Sequence, residues 1–191
     1  MGSNNIKVPA VFLDRDGTII FNKKYLNSPK KVKLFSFIAE SIIKLKNAGF
    51  KIIVVTNQSG INRGILTKKQ LNIINEKINN LLKKKGAKID GFYYCPHIEA
   101  DDCKCRKPKI GMVLEGSRFF NINLKESYVI GDCIKDYLLG FNMGGKGILV
   151  LTGHGKKQRK EISKEKIKPM AISKNLKEAV KVIVQNKKNR K

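Results

Sequence analysis

The chain has 191 residues, with 40 Lys+Arg against 15 Asp+Glu, and so a formal net charge of +25. Its 41% hydrophobic and 29% charged content suits a single domain with a real core, and it excludes collagen, a coiled coil and wholesale disorder. The apolar runs fall far short of the roughly 20 residues of a membrane span, and Met1-Gly2-Ser3-Asn4-Asn5 carries no apolar signal stretch. A cytoplasmic monomer with no membrane partner is the expectation. The charge invites a nucleic-acid reading, because cations on phosphates release counterions. Against that, only six of the basic residues are Arg, and Lys, Asn and Ile are abundant together, as AT-rich codon usage would produce. Base readout favours Arg. No specific nucleic-acid partner is therefore expected, although a basic surface draws in any phosphorylated substrate.

Short β-branched and aromatic runs mark the strands: Val11-Phe12-Leu13, 52–55, Phe92-Tyr93-Tyr94, Tyr128-Val129-Ile130, 148–151 and, more weakly, Met170-Ala171-Ile172. Each is bounded by turn formers, as buried parallel strands are. Between them, Phe37, Ile38, Ile42 and Leu45 share a helical face with Gly49 as its C-terminal stop. Leu71, Ile74, Ile78, Leu81 and Leu82 make a second stripe, and Thr67 with Gln70 reads as a capping box before it. Weaker helical patterns lie at 111–120 and 134–143, and Leu176, Ala179, Val180 and Ile183 suggest a last helix. Alternation of this kind predicts a doubly wound α/β fold with a mainly parallel sheet, whose ligands bind beyond the carboxyl ends of the strands. The charged stretch 155–168 reads as a flexible basic loop and 187–191 as a frayed tail.

Chemistry gathers at the strand ends. Asp14 and Asp16 follow the first strand and converge where the chain turns at Gly17, so that one can attack while the other moves a proton, and both can help hold a hard cation. A polar turn is the bland alternative. A calcium loop fails, because Thr18 and Tyr25 stand where it needs ligands. Thr56-Asn57-Gln58-Ser59-Gly60 after the second strand offers hydroxyl, amides and free N–H groups to a phosphate. Arg106 and Lys107 add cations, and Gly131-Asp132 adds an acid after the fourth strand. Each piece alone is explained by turn chemistry. Their order, acid pair, Thr, cation, acid, is the arrangement for phosphoryl transfer to an aspartate.

Three of four cysteines cluster with a histidine as Cys95-x-His97-x₅-Cys103-x-Cys105. Three thiolates and an imidazole make a closed tetrahedral zinc set over 95–105, structural because no position is left for water. Its polar surroundings argue against a thiol core. His154 reads as an ordinary loop histidine.

These motifs, Val11 to Ile19, Val54 to Ile61, Arg63-Gly64, Tyr94 to His97, Cys103 to Pro108, Gly111-Met112 and Gly131-Asp132, resemble the haloacid dehalogenase-like phosphatases over about residues 8–155. The likeness is to the branch that holds the heptose bisphosphate and histidinol-phosphate enzymes. It implies Asp14 as nucleophile, Asp16 as acid and base, and Mg²⁺ between Asp14, the Asp16 carbonyl and Asp132. It implies Thr56 and Lys107 on the transferring phosphoryl group, with Asn57, Gln58, Ser59 and Arg106 helping. The zinc loop would brace Arg106 and Lys107. Only about 40 residues separate Asp14 from Thr56, so there is no room for a large cap domain. Asn22, Lys23, Lys24 and Tyr25 would then touch the sugar, the lysines suiting a distal phosphate unless they form a solvated turn. The implied substrate is a small phosphorylated sugar, heptose 1,7-bisphosphate losing its 7-phosphate for surface-polysaccharide synthesis. Histidinol phosphate, a DNA 3′-phosphate and a basic zinc-bearing nucleic-acid-binding module are the alternatives. Cys133 stands where the heptose enzymes tend to carry Lys, as an inert residue or an oxidisable thiol.

Overall fold

Six strands alternate with helices in a computed structural model that describes residues 6–22 and 25–189. The strands are β1 (Ala10–Leu13), β2 (Lys51–Asn57), β3 (Gly91–Cys95), β4 (Tyr128–Gly131), β5 (Lys146–Val150) and β6 (Ala171–Ser173). They form one sheet in the order β3-β2-β1-β4-β5-β6, and every neighbouring pair is parallel. All six predicted strands are present, the weak sixth included.

The strands read as unbroken apolar runs because both faces of the sheet are covered. α1 (Ile38–Asn47), α2 (Lys68–Lys83) and α6 (Leu176–Lys188) bury Ile42, Ile74, Ile78 and Val180 on one face, against Val11, Leu13, Val54 and Ile130. α3 (Gly111–Phe120) and α4 (Ile134–Asn142) bury Met112, Val113 and Leu139 on the other, against Phe12, Ile53, Val55 and Val129. Local chemistry agrees with the global plan. The Thr67 hydroxyl accepts from the Gln70 N–H at 3.1 Å, and the Gln70 side chain accepts from the Thr67 N–H at 2.7 Å, closing the expected capping box. Chain order runs outward from β1 in both directions, so the direction of winding reverses between β1 and β4. That reversal opens a crevice above the carboxyl ends of these two strands. Leu13 pairs with Ile130, which brings the residues after both strands side by side.

Among the described residues between β1 and β2 there are only a tight turn, a 3₁₀ turn at Pro29–Lys31 and α1, so no large cap is seen over the crevice. Among the described residues no helix is long and apolar enough to cross a membrane. Two readings of flexible segments are corrected. The stretch expected as a loop over 155–168 begins as a helix, α5 (Gly155–Glu161), and continues as a 3₁₀ turn at Ile162–Lys164. Its tether is tertiary rather than periodic: the Gln158 side chain accepts from the Ile134 N–H at 3.0 Å, and Ile162 packs with Tyr137 and Leu149. The tail is helical through Lys188, and the Lys187 ammonium donates to the Ala48 carbonyl at 2.5 Å. Arg190 and Lys191 lie outside the described residues.

Candidate active site

Asp14 sits one residue past β1, and its N–H donates to the Ile130 carbonyl at 2.9 Å, so the neighbouring strand β4 fixes its place. Asp132 sits one residue past β4. Two glycines hold its carboxylate. Gly17 (φ +84°) and Gly153 (φ +52°) face each other, and a Cβ built on either would meet Asp132 Oδ2 within 2.2 and 2.1 Å respectively. Only residues without a side chain leave that space. The His154 N–H, next along the chain, donates to the same oxygen at 2.6 Å.

Lys107 reaches this pair from the far side. Its ammonium lies 2.5 Å from Asp14 Oδ1 and 2.6 Å from Asp136 Oδ1, and it donates to the Val55 carbonyl at 3.0 Å. All four of these charged groups are buried: Asp14 is 7% exposed, Asp132 and Asp136 are 1%, and Lys107 is 4%. The backbone of Lys107 is clamped by the Asn57 amide, which accepts from its N–H at 3.0 Å and donates to its carbonyl at 3.4 Å. Thr56 Oγ1 accepts from the Gln58 amide at 2.8 Å. That amide also donates to Asp16 at 2.9 Å, and buried Arg15 makes an ion pair with the Asp16 carboxylate at 2.9 Å.

Three buried carboxylates around one ammonium leave the crevice electron-rich. Burial raises Asp14 well above its usual value, and Asp136, Asp132 and Asp16 add to the rise against the pull of Lys107. Burial, with Asp136 beside it, lifts Asp132 to about 6. Burial alone would depress Lys107, but Asp136 and Asp14 outweigh it and hold the ammonium charged above its ordinary range. Such a site is built for a cation and an anion together. The Cys133 thiol is pushed up by burial and then by the same acids, and it donates to Asp132 Oδ1 at 3.4 Å, which fits the inert reading of this residue.

The metal loop comes together as its spacing predicts. The Sγ atoms of Cys95, Cys103 and Cys105 are 3.1–3.5 Å apart, and His97 Nδ1 lies 3.3 Å from Cys105 and 3.7 Å from Cys95. A zinc tetrahedron with bonds of about 2.0–2.3 Å has edges of roughly 3.5–3.8 Å, so these four donors could hold such an ion with little movement. The loop is joined to the crevice at two points. The Gln58 N–H donates to the Cys95 carbonyl at 2.7 Å, and the Arg106 guanidinium donates to the His97 carbonyl at 3.0 Å.

The active-site cleft measures about 330 Å³, lined by Asp14, Asp16, Thr56, Lys107 and Asp132 with Asn22 and His154 at its mouth. A second hollow beside it brings Tyr25 and Asn22 against Gln58, Ser59 and Gly60. A larger one between α1 and α6 holds none of the residues singled out from the sequence. Lys23 and Lys24, expected at the sugar, lie outside the described residues.

Known proteins match this arrangement. Residues 9–136 match the family described as polynucleotide kinase 3 phosphatase, and residues 104–179 match the HAD-hydrolase-like family. The chain is 38% identical over 155 residues to D-glycero-beta-D-manno-heptose-1,7-bisphosphate 7-phosphatase of Yersinia pestis, covering 76% of this chain and 82% of that one. The Helicobacter pylori enzyme of the same name is 39% identical over 144 residues, covering 75% and 83%. The chain belongs to the haloacid dehalogenase-like phosphatases. Among solved structures, the D,D-heptose 1,7-bisphosphate phosphatase of B. bronchiseptica, complexed with magnesium and phosphate, superposes with a TM-score of 0.84 at 27% identity, covering 93% of this phosphatase and 99% of that chain. The corresponding Burkholderia thailandensis structure gives 0.68 at 28% identity, covering 92% and 98%.

Three residues of this phosphatase's crevice were not assigned from its sequence. Asp136 was visible as an acid but had no role. The signal was its place three residues after Cys133 at the start of α4, where its Oδ2 accepts from the Cys133 N–H at 3.0 Å and turns Oδ1 to Lys107. Arg15 stands between the two aspartates of the motif, and its charge is the expected partner for either. His154, read as a loop histidine, stands at the mouth of the cleft, one residue past the glycine that faces Asp132. Its signal was that place in the chain, just beyond the carboxyl end of β5.

Proposed function

We propose that this phosphatase removes the 7-phosphate of D-glycero-β-D-manno-heptose 1,7-bisphosphate through an aspartyl-phosphate on Asp14. The observation that carries the chemistry is the Lys107 ammonium held between Asp14 and Asp136 at the switch point of the sheet. A phosphoryl group that enters there meets the nucleophile and the cation together. Likeness over four-fifths of the length of two enzymes named for this substrate supports the choice of sugar.

In the first half-reaction a carboxylate oxygen of Asp14 bonds to phosphorus and the bond from phosphorus to the sugar oxygen breaks. Asp16 gives its proton to the leaving oxygen. In the second, water attacks phosphorus, Asp16 takes the water's proton, and the bond to Asp14 breaks to release inorganic phosphate. Lys107 and Thr56 hold the non-bridging oxygens, with Arg106 at the edge of the cleft. Asn57 acts by clamping the Lys107 backbone. Asp16 has to leave its ion pair with Arg15 and take a proton from solvent before it acts as the acid at the leaving oxygen. Asp14, Asp132 and the Asp16 carbonyl would hold Mg²⁺, and the excess of buried carboxylates fits that ion. When bound, it supplies the positive charge that lets an anionic nucleophile approach an anionic phosphate. Cys95, His97, Cys103 and Cys105 would hold a structural Zn²⁺ that keeps Arg106 and Lys107 in place through the carbonyl of His97.

The second reading is hydrolysis of a DNA 3′-phosphate, favoured by the net charge and by the description of the family that matches residues 9–136. Phosphate release in the presence of Mg²⁺ decides between them, with both anomers of heptose 1,7-bisphosphate, histidinol phosphate and a 3′-phosphorylated oligonucleotide as substrates. The expected outcome is a kcat/KM for the β-anomer about a hundredfold above the rest, worth about 2.7 kcal/mol of transition-state discrimination. A preference for any other substrate overturns the assignment and leaves the chemistry at Asp14 standing.

A further inference from the structure

The crevice is crossed at its mouth by one side-chain contact between two loops far apart in sequence. The Asn22 amide, in the turn after β1, meets Nε2 of His154, in the turn after β5, at hydrogen-bond distance. Neither residue touches the catalytic carboxylates through its side chain. Asn22 borders three adjoining hollows: the catalytic cleft, the one that holds Tyr25, and a third floored by Phe21 and Phe35 and closed by Thr152, Gly153 and His154. Asn22 is therefore placed where a leaving group that extends from the cleft into either neighbouring hollow would meet it.

The position of His154 is set by its backbone. Gly153 takes a left-handed conformation against Gly17, and the His154 N–H is spent on Asp132. The imidazole therefore projects from a fixed point, and Asn22 meets it from the segment after β1. On the partner side, Phe21 packs on Phe35 with ring centroids 4.1 Å apart, and its N–H donates to the Lys33 carbonyl at 3.0 Å. Phe21 is thus anchored, and Asn22 follows directly on that anchor. Among the described residues, His154 holds Asn22 from the opposite wall.

We infer that His154 is a positioning residue for substrate selection: its imidazole fixes the Asn22 amide across the mouth, so that Asn22 meets the part of the substrate distal to the transferring phosphate. The inference rests on the proposed use of this cleft for a sugar bisphosphate. A double-mutant cycle tests it, with kcat and KM measured for Asn22→Ala, His154→Ala and the pair together. His154→Gln keeps an amide that can meet Asn22, and His154→Phe keeps the bulk without a polar atom. The loss of one such contact predicts a KM for the bisphosphate raised about fivefold in His154→Ala and His154→Phe, with kcat little changed. His154→Gln restores KM to within about twofold, and the double variant is no worse than Asn22→Ala alone. For p-nitrophenyl phosphate, whose leaving group carries nothing distal, the loss is smaller.

Losses that multiply in the double variant overturn the inference, because the two residues then act independently. So does a fall in kcat accompanied by a raised Mg²⁺ requirement, which would place the effect of His154 on Asp132. Failure of the substrate assignment is read separately, from the wild-type protein. If it prefers another phosphomonoester, the same cycle run on that substrate still decides whether Asn22 and His154 work as a unit.

Discussion

Gly153→Ala adds one methyl group at the most crowded point of the crevice. The new Cβ would stand 2.1 Å from Asp132 Oδ2 and 2.6 Å from the Gly17 Cα, against ordinary contacts above 3.4 Å. Neither neighbour can yield easily. The oxygen is held at 2.6 Å by the His154 N–H, and Gly17 is backbone in the turn that carries Asp14 and Asp16. Holding Ala at φ +52° costs about 1–2 kcal/mol, and forcing an extra carbon into packed surroundings costs about 1–3 kcal/mol more. The sum, about 2–5 kcal/mol, corresponds to a melting temperature lowered by roughly 4–20 °C in a chain of this size. Relief of the clash moves Asp132 by about 1 Å relative to Asp14, and misplacement on that scale costs roughly a hundredfold in rate. Thermal melting and a Mg²⁺ titration of phosphate release measure the two effects. The loss should be partly recovered at high Mg²⁺, because the defect lies in a ligand proposed for that ion. A variant that melts within about 2 °C of the parent with an unchanged Mg²⁺ half-saturation would refute the reasoning.

Asp14→Asn keeps the shape of the proposed nucleophile and removes its charge; phosphate release should vanish while the melting temperature stays within a few degrees, and residual turnover near the parent's would sink the mechanism. Cys105→Ser, or chelation of the metal loop, should lower kcat by ten- to a hundredfold with the helix and strand content retained, because His97 and with it Arg106 lose their support. Far-UV circular dichroism beside the kinetics separates that outcome from simple unfolding. Asp132 binds its proton below about pH 6 in the metal-free protein, owing to burial and then Asp136. Mg²⁺ must displace that proton, so its half-saturating concentration should rise as pH falls through 6, by about tenfold per unit for one proton, and a flat requirement from pH 5 to 7 would exclude a role for Asp132 as ligand.

What was legible in the sequence was whatever is written locally. Buried parallel strands carry short apolar runs whichever partner they find, so all six could be read; Asp14, Asp132 and Thr56 stand at the ends of such runs, and Lys107 follows directly on the metal loop. The metal loop packs its four donors into eleven residues and needs no long-range information. What could not be read was set by tertiary contact. Residues 155–161 have no apolar stripe because the helix there is fixed by Gln158 on the first N–H of α4 and by Ile162 beyond its end. Asp136 finds its partner only when Lys107 arrives from the loop before α3. The importance of His154 follows from Gly153 facing Gly17, a contact across more than 130 residues of chain.

The place of β1 has a consequence for synthesis. It pairs with β2, which follows within about 40 residues, and with β4, which is made more than a hundred residues after it. Until β4 emerges, one edge of Ala10–Leu13 stands open on a strand whose side chains are all apolar. An unpaired edge of that kind is a template for pairing with other chains. The nascent chain is thus most vulnerable to misassembly through the middle of its production. The strand that ends this exposure brings Asp132 with it, so β1 loses its open edge and the crevice gains that carboxylate in a single event of closure.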